Sequence, residues 1–365
     1  MDVARLAGAD PRLRVVFTAR PGPAGTAAEA LLRDAGALVV PWQDTGRGDF
    51  GLVITATAVP GPAPPAPQIV LPAAAEVVRR HMTGQPSPAP QAPPGRVPVT
   101  IALAHGAEER APAIGGPPDT WTVVGDSIHD RLVASLPLRD FYRRAFGIGG
   151  GQRLVVAVLP ACGGHGACAD GPCRCVHRSH EVVRRLLDEL PSDGYRVLGV
   201  PELGSEACMG GPGLAGPLRN GLGLMPPDAD WRAAVVAADW VIGGSGPIIR
   251  YATITGAPVV LTTRLSGSHG SGYAQVARVA PCLSVHHPMQ AQLREAAEWW
   301  RPERGRPVVE GITSAPGRFD RNMRRLMYKL LRLSQPATIP VADPVSPPFR
   351  IEYPAELLTN LTRGG

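Results

Sequence analysis

Residues 179–200 read SHEVVRRLLDELPSDGYRVLGV, and a short apolar run, RLVVAVLP, stands before them at 153–160. RLVVAVLP reads as a buried strand, SHEVVRRLLDELP (179–191) as a helix and YRVLGV (195–200) as the next strand. Short apolar runs divided by helices imply a parallel sheet, because parallel neighbours need a crossover and the crossover is usually a helix. DWVIGG (239–244) and APVVLTT (257–263) supply further strands, with helices at about 231–238 and 248–255.

The same alternation runs through the first third of the chain. LRVVFTA (13–19), ALVVPW (37–42) and FGLVITA (50–56) read as strands, with AGTAAEALLRDAG (24–36) as a helix closed by glycine. PGPAPPAPQ (60–68) and GQPSPAPQAPPG (84–95) read as extended loops, since proline lacks the ladder donor and disfavours helix before it. VPVTIALAH (97–105) and WTVVGD (121–126) precede the second set. Two Rossmann-like sheets joined near residue 120 are the economical reading. Ligands of such sheets bind at the carboxyl ends of the strands, which places the expected site in a cleft between two domains.

The bulk composition agrees. The 365 residues are 44% hydrophobic, enough for two cores, and 43 glycines, 41 prolines and 5% aromatics suit α/β better than all-β. A net charge of +6 permits anionic partners such as nucleotides, phospho-substrates or lipid headgroups, while the absence of a DNA- or RNA-reading motif speaks against nucleic acid. The opening MDVARLAGADPR has no signal-peptide pattern, and no apolar run approaches the ~20 residues of a membrane span. A cytoplasmic protein with reduced thiols is expected.

VVGDSIHDRLVASLPLRDFYRRAFGI (123–148), ELPSDGYRV (189–197), GLGLMPPDADWRAAVVAADWVIG (221–243), YATITGAPVVL (251–261) and GRFDRNMRRLMYKLLRLSQP (317–336) together resemble the CDP-glycerol glycerophosphotransferase-like proteins of GT-B fold. The resemblance covers most of the chain from about residue 13 and is most specific over 221–261. It implies an α/β protein of two facing Rossmann-type domains with a central cleft. An acceptor-side domain would occupy 1–120, a donor-side, nucleotide-binding domain 121–310, and a crossover helix and tail 311–365. The N-terminal domain, beginning at what resembles the end of a first helix, is expected to lack its first βα unit. The implied chemistry is glycerophospho- or glycosyl transfer from a nucleotide-linked donor, resting on positioned hydrogen-bond donors and a histidine base.

The departures fall where chemistry is expected. Relatives carry Gly-Asp-His-Gly-Ser after the strand matching DWVIG, and this chain has Gly243, Gly244, Ser245, Gly246 and Pro247. They carry His-Pro after the strand matching YRVLGV, where this chain has Pro201 and Glu202. A Pro-His-Gly element of the N-terminal domain also has no counterpart. Two readings follow. One is a divergent transferase-like protein that holds donor phosphate on Gly244, Ser245 and Gly246. The other is a catalytically inactive binding or scaffold protein of the same fold, with a metal-stabilised Cys/His loop at 162–180.

Between Cys162 and His180 lie four cysteines and three histidines, spaced C-x2-H-x2-C-x4-C-x-C-x-H-x2-H. Thiolates and imidazoles suit tetrahedral zinc, so Cys162, Cys168, Cys173 and Cys175 are candidate ligands, with His165 and His177 as substitutes. The spacing matches no standard zinc module, and a glycine-rich loop with incidental cysteines is the bland alternative. A closed cysteine-rich site would be structural. His105, in IALAHGAEE, is a candidate base because relatives have a histidine at the matching place; as an ordinary surface histidine it needs no function. SGSHGSG (266–272) reads as a loop. Asp126, Asp130 and Arg131 are expected to serve interdomain hydrogen bonding. A helix over 318–333 puts Phe319, Met323, Leu326, Met327 and Leu330 on one face and arginines around the rest. That pattern allows peripheral contact with an anionic membrane, or packing on the N-terminal domain with the arginines exposed.

Overall fold

Short, largely apolar runs become strands of two to seven residues, all of them parallel. The computed structural model describes residues 2–46, 48–55, 66–71, 99–106, 121–160, 174–202, 212–226, 229–244, 246–263 and 271–348. The chain forms two units, Met1–Asp130 with Thr313–Ala342, and Arg131–Ile312 with Asp343–Gly365. The divisions after Asp130 and Ile312 compare with sequence-based boundaries at 120 and 310, and the first falls inside helix Ser127–Ser135.

In the first unit β1 (Val53–Thr55), β2 (Gln68–Val70), β3 (Val99–Leu103) and β4 (Trp121–Val123) lie in the order β1-β2-β3-β4. β2 begins on the last residue of a stretch read from sequence as a loop. Three residues flanked by proline-rich sequence carry too little periodicity to stand out, yet Gln68, Ile69 and Val70 are all buried. The expected strands at 13–19 and 37–42 reduce to one parallel bridge, Phe17 to Val39, in which Phe17 accepts from the Val40 amide. Pro41 follows and has no N–H with which to extend that ladder.

Side chains alternate across this sheet. Val70, Ile101 and Leu103 form one apolar cluster. Ile69, Ala102 and Val124 face the other way, against Leu6, Ala7, Phe319, Met323, Leu326, Met327 and Tyr328. Helix Phe319–Leu331 therefore returns to the first unit and buries the apolar face read from its sequence, leaving Arg318, Arg321, Arg325, Lys329 and Arg332 exposed. Polar locks accompany the packing. Arg5 pairs with the buried Asp320, and Asp10 accepts from the Tyr328 hydroxyl and, at 2.7 to 3.2 Å, from the Arg12 guanidinium.

The second unit has five parallel strands, β5 (Arg153–Leu159), β6 (Tyr195–Pro201), β7 (Gly223–Leu224), β8 (Trp240–Gly243) and β9 (Val259–Leu261), in the order β7-β6-β5-β8-β9. Successive strands build outward from β5 on one side, then the chain returns to build on the other. The reversal of winding lies between β5 and β8, the topological switch point of a doubly wound sheet. Helix Arg174–Glu189 follows β5 and sets Val182, Val183 and Leu186, with Leu190 just past its end, into the core beside Val155, Val197 and Trp240. The Trp240 indole N–H is satisfied by the Leu293 carbonyl at 2.8 Å, inside helix Met289–Trp299. At the amino end of the sheet, the Asp239 carboxylate accepts from Arg139, Arg143 and the Leu154 amide, fixing helix Arg139–Ala145 to the start of β5.

Candidate functional site

The carboxyl edge of the second sheet assembles a small polar constellation. β8 ends at Gly243, and a Cβ there would stand 2.6 Å from Ile249 Cδ1 and 2.9 Å from Val158 Cβ. Only glycine lets the chain leave the strand so close to its neighbours. Gly246 then caps the six-residue helix Pro247–Ala252, with Pro247 at a position where its missing N–H costs nothing. Ser245 lies outside the described residues.

Three side chains that the sequence pointed to weakly or not at all meet this turn. Thr262, just past β9, is buried; its amide donates to the Gly243 carbonyl at 2.8 Å, and its Oγ1 lies 3.6 Å from where a Cβ on Gly244 would be. Arg178, on the helix after β5, donates from Nε to the Thr262 carbonyl at 2.5 Å, so a guanidinium is tethered at the same edge. Glu202, just past β6, is held through its amide to the Leu159 carbonyl at 2.9 Å, and its carboxylate fills the space that a Cβ on Gly246 would need. Arg178 was hidden in sequence among the cysteines and histidines around it. Thr262 stood only as a strand residue, and Glu202 only as a departure from the His-Pro of relatives.

Among the described residues this constellation offers close backbone approach, a cation, a hydroxyl and a carboxylate. Glycine turns and a guanidinium favour an anion, since amide N–H groups and a fixed positive charge replace its lost hydration. The carboxylate opposes it. The structure thus brings Gly244 and Gly246 together with Arg178, Thr262 and Glu202.

His105 belongs to the first unit. It follows β3, between Ala104, whose carbonyl accepts from Thr313 Oγ1 at 2.9 Å, and Gly106, whose amide donates to Ser314 Oγ at 3.0 Å. The hinge motif also has defined work. Asp126 accepts the His129 amide at 2.8 Å, as a cap of helix Ser127–Ser135. Asp130 binds the His129 ring and the Gly317 and Phe319 amides, while Arg131 donates to the Asp343 and Pro344 carbonyls. Each of these bonds joins residues of one unit.

Of the candidate metal ligands, Cys162, His165, Cys168 and Cys173 lie outside the described residues, as does most of SGSHGSG. Cys175 and His177 sit in the first turn of helix Arg174–Glu189, with their side chains outside the described set. Among the described residues no group of three or more histidine, cysteine, aspartate or glutamate side chains could hold a metal ion. No described helix is long and apolar enough to cross a membrane.

No protein-family model matches the sequence, and no curated protein matches it. Solved structures do. One structure of a variant of the wall teichoic acid polymerase TagF aligns over 90% of this chain and 84% of its own, at 10% identity and a TM-score of 0.60. A second variant aligns over 87% of this chain and 88% of its own, at 9% identity and a TM-score of 0.54. A third TagF structure, soaked with CDPG, aligns over 87% of each chain at 9% identity and a TM-score of 0.50. The chain has a GT-B-like fold, α/β with parallel sheets of Rossmann type. Identity this low carries the fold alone.

Proposed function

We propose that a protein of this fold uses the carboxyl edge of its second sheet to bind a nucleotide or nucleotide-linked donor, of the kind used in glycerophospho- or glycosyl transfer. The observation that carries the proposal is the convergence of Gly244, Gly246, Thr262 and the tethered Arg178 beside the switch point between β5 and β8. Backbone amides of Gly244, Ser245 and Gly246 would face the donor diphosphate. The Arg178 guanidinium would add charge where negative charge grows on a leaving nucleoside diphosphate. His105, at the carboxyl end of β3 in the first unit, is the residue proposed as base.

One of the similar TagF structures was soaked with CDPG, which makes CDP and CDP-glycerol the first ligands to test, beside UDP and UDP-sugars. A ligand held only by the folded protein raises the melting temperature by mass action, and at about a hundred times its Kd it adds about 2.7 kcal/mol. A rise with one member of the panel supports the proposal. No rise at millimolar concentrations across the panel ends it.

Glu202 favours a second reading. A carboxylate against Gly246 disfavours a phosphate on the same turn, and the Gly-Asp-His-Gly-Ser acid and histidine of relatives have no counterpart here. On this reading the chain is a catalytically inactive binding or scaffold protein. Nucleotide binding without turnover of any donor would support it.

A further inference from the structure

We infer that the exposed face of helix Phe319–Leu331, with the segment that follows it, is an electrostatic docking surface for an anionic lipid bilayer. Once Phe319, Met323, Leu326 and Met327 are buried in the first unit, no apolar face of this helix is left to enter a membrane. What remains outside is a cationic stripe. Arg321, Arg325 and Lys329 follow at four-residue steps, so their side chains fall within an arc of about 80°. Arg318 at the amino cap and Arg332 at the carboxyl cap extend the stripe to about 20 Å.

All five cations are exposed, and no carboxylate of the described residues pairs with them. The one acid of the helix, Asp320, is turned inward onto Arg5. Five like charges on one face repel one another, and an anionic surface would relieve that repulsion.

The neighbouring segment decides between lipid and nucleic acid. Leu333 is 38% exposed, and Ile339 and Val341 are each 69% exposed, the two highest among the large apolar side chains described. The segment holding them is tied back by Arg12 to the Ser334 carbonyl and by Arg324 to the Thr338 carbonyl. Ile339 and Val341, two residues apart, follow the Thr338 that Arg324 of the same helix holds, and are exposed rather than in the core. Nucleic acid is gripped by cations interleaved with exposed aromatic rings, but Phe319 and Tyr328 are buried and no aromatic side chain is exposed over 318–348. Cations beside exposed aliphatic side chains suit headgroups above and acyl chains just below.

The test is co-sedimentation of the whole protein with vesicles of phosphatidylcholine alone and of phosphatidylcholine with phosphatidylglycerol. Partition onto the phosphatidylglycerol vesicles alone, lost as salt rises, is the expected result. Each cation near such a surface is worth roughly fivefold in partition, so R321Q/R325Q/K329Q should lower it by roughly a hundredfold with an unchanged melting temperature. I339S/V341S should weaken binding to the same vesicles while keeping its salt dependence. Equal pelleting on neutral vesicles, no pelleting on either, or a triple variant that pellets like the parent would overturn the inference. So would a DNA or RNA oligonucleotide that strips the protein from the vesicles by binding the stripe more tightly.

Discussion

Asp130 accepts the Phe319 backbone N–H at 2.9 Å with one carboxylate oxygen and the Gly317 N–H at 2.7 Å with the other. A side chain 189 residues away therefore satisfies amides at the entry of helix Phe319–Leu331, which its own N-cap residue, Arg318, does not do. His129 Nδ1 approaches the same carboxylate at 2.9 Å, and Gly125, at φ 99°, lets the backbone pass close to Phe319. Asp130 to alanine leaves the buried Phe319 amide and the Gly317 amide without this acceptor and should cost about 1–3 kcal/mol, read by denaturant unfolding. Asparagine, which keeps one acceptor oxygen, should cost less. Limited proteolysis of the alanine variant should cut first near 313–318.

Adjacent glycines should respond in opposite ways. Gly243→Ala forces a methyl into Ile249 and Val158 and should destabilise the second unit by about 1–3 kcal/mol. Gly244→Ala meets nothing closer than Thr262 Oγ1 at 3.6 Å, so the protein should keep its melting temperature and lose nucleotide-induced stabilisation. Equal loss of stability in both variants would remove Gly244 from the proposed phosphate site.

Charge changes at the same edge should move affinity in opposite directions. Arg178→Gln removes a charged hydrogen-bond donor worth about 1.5–3 kcal/mol and should weaken nucleoside diphosphate binding by roughly tenfold or more. Glu202→Gln removes a repulsion of about 1 kcal/mol and should tighten it by roughly fivefold. Titration calorimetry with CDP and UDP on the three proteins measures both. A Glu202→Gln variant that binds more weakly would show that the carboxylate contacts the ligand favourably.

Acid should expose the lock between Asp10 and helix Phe319–Leu331. Hydrogen bonds from Arg12 and from the Tyr328 hydroxyl hold the Asp10 carboxyl well below the usual aspartate range. A carboxyl depressed in the folded state contributes stability that is complete above its unfolded value, about pH 4, and is lost as pH falls further. The melting temperature of the parent should therefore fall below about pH 4 more steeply than that of Asp10→Asn, which starts lower at neutral pH. Parallel acid limbs would assign the loss to other carboxylates.

Zinc, proposed on Cys162, Cys168, Cys173 and Cys175, gives a stoichiometric readout. Ordering the twelve residues 162–173, with few apolar side chains, costs about 1–2 kcal/mol per residue, and a structural metal of ~10 kcal/mol would offset roughly half of that. Protein purified without a histidine tag should then carry near-equimolar zinc or iron, lost in Cys173→Ser and Cys175→Ser, with a lower melting temperature in chelator. Metal-free protein whose cysteines alkylate freely would leave the part of the stretch before helix Arg174–Glu189 a glycine-rich loop.

What the sequence determined by itself is local. Runs such as RLVVAVLP and YRVLGV, each with its helix, specify parallel α/β units because a strand's burial and a helix's amphipathic face are written within a dozen residues. The apolar face of 319–331 and the glycine turn after DWVIG were legible for the same reason. The three-residue strand β2 was not, because Gln68–Val70 is held by ladder partners in other segments rather than by a pattern of its own. Only the tertiary structure decided which residues meet. Arg178 reaches Thr262 across 84 positions, Asp130 reaches Phe319 across 189 and Tyr328 reaches Asp10 across 318. A hydrogen bond is set by distance in space, and chain separation leaves no mark on either residue's neighbours. That is why Arg178 and Thr262 went unseen as site residues and why Glu202 registered only as a missing histidine; of the two uses the sequence allowed the helix over 318–333, packing on the first unit is the one the structure shows for its apolar face.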